Sequence, residues 1–365
     1  MHSGHPVVRR LTRLISERGP ISVAEFMEIA LGDPDGGYYA THDPFGVDGD
    51  FTTAPEISQM FGELIGLWCA DTWQRIGAPA AFTLIELGPG RGTLMADALR
   101  SIASLPDCLA AARIHLVENS PTLQAAQQKA LHGQDVTWHE ALPDLGAVPA
   151  IFIANEFLDA LPVRQFVKTG DAWRERLVDY DRAADVFAFT PGMATPDGPH
   201  ADRLLAEAAE GDIFEQSPAV ISVIGDIAAH IAAHGGAALF IDYGHRRTAI
   251  GETLQAVRQH RPIDPLEAPG TSDVTAHVDF QCVGEGAGDH GLRSLGPLDQ
   301  GTFLQRLGIR ERADILRQKA DERQTRDLNA ALTRLIGPSE MGTLFKVMAL
   351  SEKRVELLAG FDSQS

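Results

Sequence analysis

From Ala81 onward, short apolar runs alternate with amphipathic segments, and no other feature of this sequence narrows the possible folds as far. The apolar runs are 82–85, 114–117, 136–138 and 150–154, and the stretches between them, 93–105 and 121–131, carry apolar residues at helical spacing. Parallel strands need a long crossover, and a helix supplies it, so this alternation predicts an α/β fold with a doubly wound parallel sheet. Strands that are apolar almost throughout fit a sheet covered on both faces. Further along, 165–189 reads as a β-hairpin around Gly170-Asp171, and 218–233 as a helix ended by Gly235-Gly236 before a strand at 237–242. Helices are predicted at 299–307, 312–319 and 327–336 and a last strand at 343–350, whereas 251–296, dense in Gly, Pro and His, reads as an elaborated loop layer. The first 80 residues read as helical: one helix over 9–18, a second opened by a Ser22/Glu25 capping box and broken at Gly32, and a third over 57–76. The predicted organisation is a helical N-terminal cap over 1–80 and a core over 81–365, with insertions around 165–212 and 251–336.

A chain of 365 residues suits two domains, or one large domain with insertions. It has no run of about 18 uninterrupted apolar residues, so no membrane-spanning helix is expected. Lys and Arg number 31 against 50 Asp and Glu, a net charge of −19. That balance argues against a general binder of nucleic acid or anionic membranes and suits a cationic partner, besides keeping the chain soluble. The cysteines, Cys69, Cys108 and Cys282, lie far apart with no CxxC, and the histidines form no HExxH, so a reducing compartment and no metal are expected. Arg9, Arg10, Arg13 and Arg18 alternate with Val8, Leu11 and Ile15 as in a transit peptide, but Glu17 interrupts the pattern, and the segment reads as the first structured helix.

The chemistry is concentrated at strand ends. Glu86-Leu87-Gly88-Pro89-Gly90-Arg91-Gly92 stands where the first strand turns into a helix. Its glycines let the backbone turn tightly and approach a ligand closely. Dinucleotide folds use similar turns, but here the spacing is GxGxG and an acid stands two residues before the first glycine. A carboxylate at that point suits the cationic amino-acid and sulfonium groups of S-adenosylmethionine (SAM) better than a pyrophosphate. Glu118 ends the second strand, where such folds bind ribose hydroxyls, and Glu140, after the third, could accept from an adenine amino group. Asn155, Glu156 and Asp159 follow the fourth strand and face the expected position of the methyl group. Their carboxylates suit a cationic or hydrogen-bond-donating acceptor, while Asn155 and Asp159 also have the chemistry of turn caps.

With these strings in order, the sequence resembles the MidA-like family of SAM-dependent methyltransferases over nearly its whole length. The likeness includes Gly37-Tyr38-Tyr39, Gly49 to Glu56, Phe61-Gly62-Glu63-Leu64, the Glu86–Gly92 turn, Val117-Glu118, Asn155 to Pro162, Ile241 to Gly244, Asp273 to Phe280, and Phe345-Lys346-Val347. The resemblance implies a class I methyltransferase, Rossmann-like sheet with SAM as cofactor. It places Glu86, Gly88, Gly90 and Glu118 at the cofactor and folds Asp50 to Glu56 over it as a lid. Mitochondrial members of the family assist assembly of respiratory complex I and dimethylate an arginine of one of its core subunits. The expected reaction is therefore methyl transfer from SAM to an arginine of a partner protein, in the bacterial cytoplasm or, in a eukaryote, the mitochondrial matrix. Glu156 and then Asp159 would orient the guanidinium, and His277 would accept the proton. Asp242-Tyr243-Gly244 and the segment from His277 to Asp279 would wall the acceptor site. The alternatives are methylation of a small molecule or another side chain, a SAM-binding assembly chaperone without catalysis, and an NAD enzyme, for which GxGxxG is lacking.

Overall fold

A computed structural model describes residues 4–41 and 52–361, which form two compact units. The larger comprises Thr52–Leu158, Ile224–Arg246 and Phe280–Ser365, the smaller Met1–Phe51, Asp159–Val223 and Arg247–Asp279. A cut at residue 80 does not follow this division, because the helix Gln59–Arg75 packs into the core of the larger unit.

The larger unit is built on a sheet of strands β1 (Phe82–Leu87), β2 (Ala112–Val117), β3 (Val136–His139), β4 (Ala150–Asn155), β5 (Gly236–His245), β6 (Arg293–Asp299) and β7 (Phe345–Ser351). Their order is β6-β7-β5-β4-β1-β2-β3, with β7 antiparallel to both neighbours and the pairs among β1 to β5 parallel. Strands β1 and β4 are buried along their whole length, in keeping with their mostly apolar sequences. One core cluster joins Leu84, Ile151, Ile153, Leu239 and Val347 of the sheet to Phe61, Leu64 and Trp68 of the helix Gln59–Arg75 and to Leu94 and Ala98 of Thr93–Ile102. Glu63, buried on the first of these helices, takes a bidentate pair from Arg312 at 2.7 and 3.0 Å and a further bond from Arg100 at 3.3 Å. The acid of the Phe61-Gly62-Glu63-Leu64 string is thus a brace between three helices.

The two helices touch at backbone distance. A Cβ at Gly66 would lie 2.4 Å from the Ala98 carbonyl oxygen and 2.6 Å from Ala98 Cα, so the crossing has no room for a methyl group. Gly66→Ala is expected to destabilise by about 1–3 kcal/mol, the usual cost of overpacking, and to lower the thermal midpoint by several degrees. Leu67→Ala, next to it but 46% exposed, is the control. Equal midpoints for the two variants would show that the helices can part freely.

In the smaller unit, the Ser22/Glu25 capping box is formed and opens the helix Val23–Gly32, following the helix Pro6–Arg18. The hairpin about Gly170-Asp171 is also present, as strands Arg164–Thr169 and Ala172–Asp181, in a sheet with Ile21–Ser22, Val186–Pro191 and Ile213–Gln216. A second sheet joins Gln255–Arg258, Arg261–Ile263 and Asp273–Thr275.

The stretch 251–296 is more regular than a loop layer. Besides the three short strands it contains the helix Phe280–Asp289 and most of β6. Gly284, Gly286 and Gly288 lower the helix propensity of that segment, and Gly296-Pro297 breaks the strand pattern of β6. Packing outweighs these local preferences, with Phe280, Val283 and Ala287 buried on one helix face. The helix predicted at 327–336 starts earlier, at Glu322, where Asp321 and Gln324 form a capping box.

Candidate active site

The order of the sheet reverses between β1 and β4, and ligands of open α/β sheets bind beyond the carboxyl ends of the strands at such a point. Four strands of the larger unit deliver their terminal residues there. Behind β1, Gly88, Gly90 and Gly92 adopt φ of +63°, +54° and +81° before the helix Thr93–Ile102 begins. The turn is tied to β2 by the Gly88 N–H, which donates to the Val117 carbonyl at 3.1 Å.

Glu86 is 2% exposed, and its Oε2 has no hydrogen-bond partner among the described residues. Burial pushes its carboxyl up to about 8 from the ordinary 4.5, and the Met95 backbone N–H offsets only part of this. Asn155 is likewise buried, and its Oδ1 has no hydrogen-bond partner among the described residues. Glu86 pairs with Ile153 in the β1–β4 register, and Asn155, two residues on, projects from the same face of the sheet. Two buried acceptor atoms with no donor among the described residues, beside a glycine turn, are what the cationic amino-acid end of SAM would satisfy.

Glu118 is fixed at both oxygens. The Ser120 N–H donates to Oε1 at 2.9 Å, and the Gln127 amide donates to Oε2 at 3.1 Å. Burial raises its carboxyl, and these donors work against the rise. Gln127 escaped the reading of the sequence. It lies on the buried stripe of the helix Pro121–Ala130, four residues after Leu123, and a polar residue on such a stripe is the signal that marks it. Glu140 is exposed at the bend after β3.

After β4, Glu156 sits in the left-handed region at φ +51°, a costly conformation for a non-glycine residue. Its Oε1 accepts from the Asn155 side-chain amide at 3.1 Å and from the Ala54 N–H at 3.1 Å. Asp242, at the corresponding point of β5, accepts from the N–H groups of Phe157 at 3.2 Å and Leu158 at 2.9 Å, bracing the turn that holds Glu156. Of the segment expected to act as a lid, Asp50 and Phe51 lie outside the described residues. The remainder is fastened at this end of the sheet: Glu56 accepts from the Thr93 hydroxyl and pairs with Arg91 at 3.9 Å.

Glu86, Gly88, Gly90, Glu118, Asn155 and Glu156 therefore gather on the carboxyl side of one sheet. Asp159 and His277 belong to the smaller unit. There the Asp159 carbonyl accepts from the Ala276 N–H at 3.0 Å, and the His277 N–H donates to the Thr253 hydroxyl at 2.9 Å.

One expectation concerns pH. The Glu86 carboxyl is raised in the folded protein, so its protonated form favours folding. The contribution is present below the ordinary 4.5 and is lost as pH rises through about 8. Its ceiling is about 5 kcal/mol. Without cofactor, the wild-type thermal midpoint is expected to fall between pH 6 and 9 relative to that of Glu86→Gln. Parallel midpoints would mean that Glu86 is already ionised at pH 6.

The seven-strand order with an antiparallel β7, the acid-and-glycine turn after β1 and the acid ending β2 define a class I methyltransferase sheet. Residues 64–298 match the family described as "Putative S-adenosyl-L-methionine-dependent methyltransferase". Among curated proteins, the chain is 38% identical to human "Protein arginine methyltransferase NDUFAF7, mitochondrial", over 94% of this chain and 83% of that protein. It is 37% identical to the zebrafish (Danio rerio) protein of the same name, over 94% and 86%. A crystal structure of a Burkholderia thailandensis protein bound to S-adenosyl-homocysteine superposes with a TM-score of 0.85 at 30% identity, covering 98% of this chain and 95% of the other. The chain belongs to this family of SAM-dependent methyltransferases.

Proposed function

We propose that the enzyme methylates an arginine of a partner protein, and that this partner is a core subunit of respiratory complex I or its bacterial counterpart. The observation that carries the arginine reading is the likeness, over 94% of the chain, to a relative named a protein arginine methyltransferase. A net charge of −19 suits a cationic acceptor. The complex I reading rests on the family resemblance.

When bound, SAM supplies a methyl group already activated by its sulfonium. Glu86 and Asn155 hold its amino-acid end through their unpartnered acceptors, the glycine turn admits it, and Glu118 takes the ribose hydroxyls. An arginine guanidinium is too weak an acid to ionise at neutral pH and keeps its proton until the new bond forms. A carboxylate must therefore hold it in line by charge-assisted hydrogen bonds, and positioning of this kind supplies much of the rate. Glu156 does this, its carboxylate pinned by Ala54 and Asn155 before the substrate arrives. Asp159 as second carboxylate, His277 as proton acceptor and Glu140 at the adenine rest on the sequence alone. The reaction takes place in the bacterial cytoplasm, or in the mitochondrial matrix of a eukaryote.

Mass spectrometry of proteins from cells with and without the gene tests this reading. The expected result is one arginine, in a complex I subunit or its counterpart, that loses its methyl mass. Loss of methylation on another side chain or a small molecule moves the acceptor there. Failed assembly with every methyl mark intact makes the protein a SAM-binding chaperone.

A further inference from the structure

Gln127 is fully buried, and every polar group of its side chain is engaged. Its amide nitrogen donates to the Gly90 carbonyl at 2.7 Å and to Glu118 Oε2 at 3.1 Å, and its oxygen accepts from the Trp138 indole N–H at 2.9 Å. The chemistry permits only this orientation. A flipped amide would set its oxygen against two acceptors and its protons against a donor. The helix backbone also presses on the glycine turn, since a Cβ at Gly92 would lie 3.3 Å from Gln127 Cα and Cγ. One side chain thus joins the turn after β1, the acid that ends β2 and the indole of β3.

We propose that Gln127 is a positioning residue for the cofactor: it locks the Glu118 carboxylate in the orientation that receives the ribose hydroxyls and ties the glycine turn to it. This rests on the reading that Glu118 binds the ribose. Ser120 holds one carboxylate oxygen and Gln127 the other, with the Asn119 N–H as a further donor, so the plane of the carboxylate is set from both sides. Without the amide, the carboxylate can rotate about its stem, and the Gly90 carbonyl loses its donor.

The test is SAM affinity by calorimetry between pH 7 and 9, for wild type, Gln127→Met and Gln127→Glu. The methionine keeps the volume and loses all three bonds. It is expected to weaken SAM about tenfold or more, as for a lost hydrogen bond to a charged group. In a Glu118→Ala background, Gln127→Met is expected to cost little more, because the group it positions is gone. The glutamate keeps the acceptor for Trp138 but faces Glu118 and the Gly90 carbonyl. When protonated it donates as the amide does, so its affinity relative to wild type should recover as pH falls from 9 to 7. A merely structural role would not produce that recovery. In this window the His115–His139 pair is neutral, since burial lowers both imidazoles. Glu86 is common to all variants and cancels in the ratio. Wild-type affinity in Gln127→Met, full additivity with Glu118→Ala, or a flat ratio for Gln127→Glu overturns the proposal. Should the methionine variant fail to fold, the pH dependence of the glutamate variant decides alone. If Glu118→Ala itself binds SAM like wild type, the ribose reading fails and takes this inference with it.

Discussion

Gly88→Val is expected to weaken SAM binding by at least about a hundredfold while leaving the sheet folded. Gly88 has φ +63°, a region that β-branched residues rarely enter and that costs them about 1–3 kcal/mol. The added Cβ would also lie 2.8 Å from Phe157 Cδ2. The turn must therefore either shift away from the carboxyl ends of β1 and β4 or push the Phe157 ring out of place. Each movement alters the surface that the cofactor meets, whereas the Gly88 N–H bond to Val117 lies on the strand side and can persist. Calorimetry with SAM, beside a circular-dichroism melt, separates the two effects. Gly88→Ala should fall between wild type and valine. A valine variant that binds SAM normally would remove the turn from the cofactor site.

Glu156→Gln tests the chemistry rather than the cofactor. Glutamine keeps the length of the side chain and the strained backbone at φ +51°, and its carbonyl oxygen can still accept from Ala54. The charge and one acceptor oxygen are lost. SAM affinity is expected to stay within about twofold, because a neutral isostere leaves the other cofactor contacts in place. Methylation should fall by about a hundredfold or more, comparable with loss of one positioned electrostatic stabiliser. Cells lacking the gene but carrying the variant supply the measurement, as methylated arginine recovered by mass spectrometry together with assembly of the partner complex. Full methylation would reduce Glu156 to a latch for Ala54. Lost methylation with full assembly would make scaffolding the main role of the protein.

Strands β1 to β4 and the turn from Glu86 to Gly92 were legible because their signals are local. The first three strands are apolar runs separated by helices, β4 is a longer apolar run, and three glycines within five residues leave few other uses. The Ser22/Glu25 box and the Gly170-Asp171 hairpin were readable for the same reason. The helix Phe280–Asp289 was not, since its three glycines argue against a helix and only its buried face maintains it. Gln127 was hidden differently, because its three partners come from separate strand ends and no spacing along the chain brings them together. Asp242 looked like a candidate wall of the acceptor site, yet its carboxylate is occupied by the backbone of Phe157 and Leu158, a bond across 84 or more positions of sequence. The fold was thus readable wherever neighbours in sequence decide it, and the site wherever a single residue type carries its own geometry.

The position of β7 has a consequence for synthesis. Strand β5 is complete at His245, but its neighbour on one side, Phe345–Ser351, is made about 100 residues later. At the usual 5–20 residues per second, the edge of β5 stays open for about 5–20 s on the ribosome. During that time it presents a run of buried-type residues, Ala237 to Ile241, with unpaired backbone groups, the kind of edge on which chains stick together. β6 is made in the interval but pairs with β7, not with β5, so it cannot seal the gap. Codon changes that slow translation between 246 and 345 are therefore predicted to lower the soluble yield of this enzyme more than equal changes before β1.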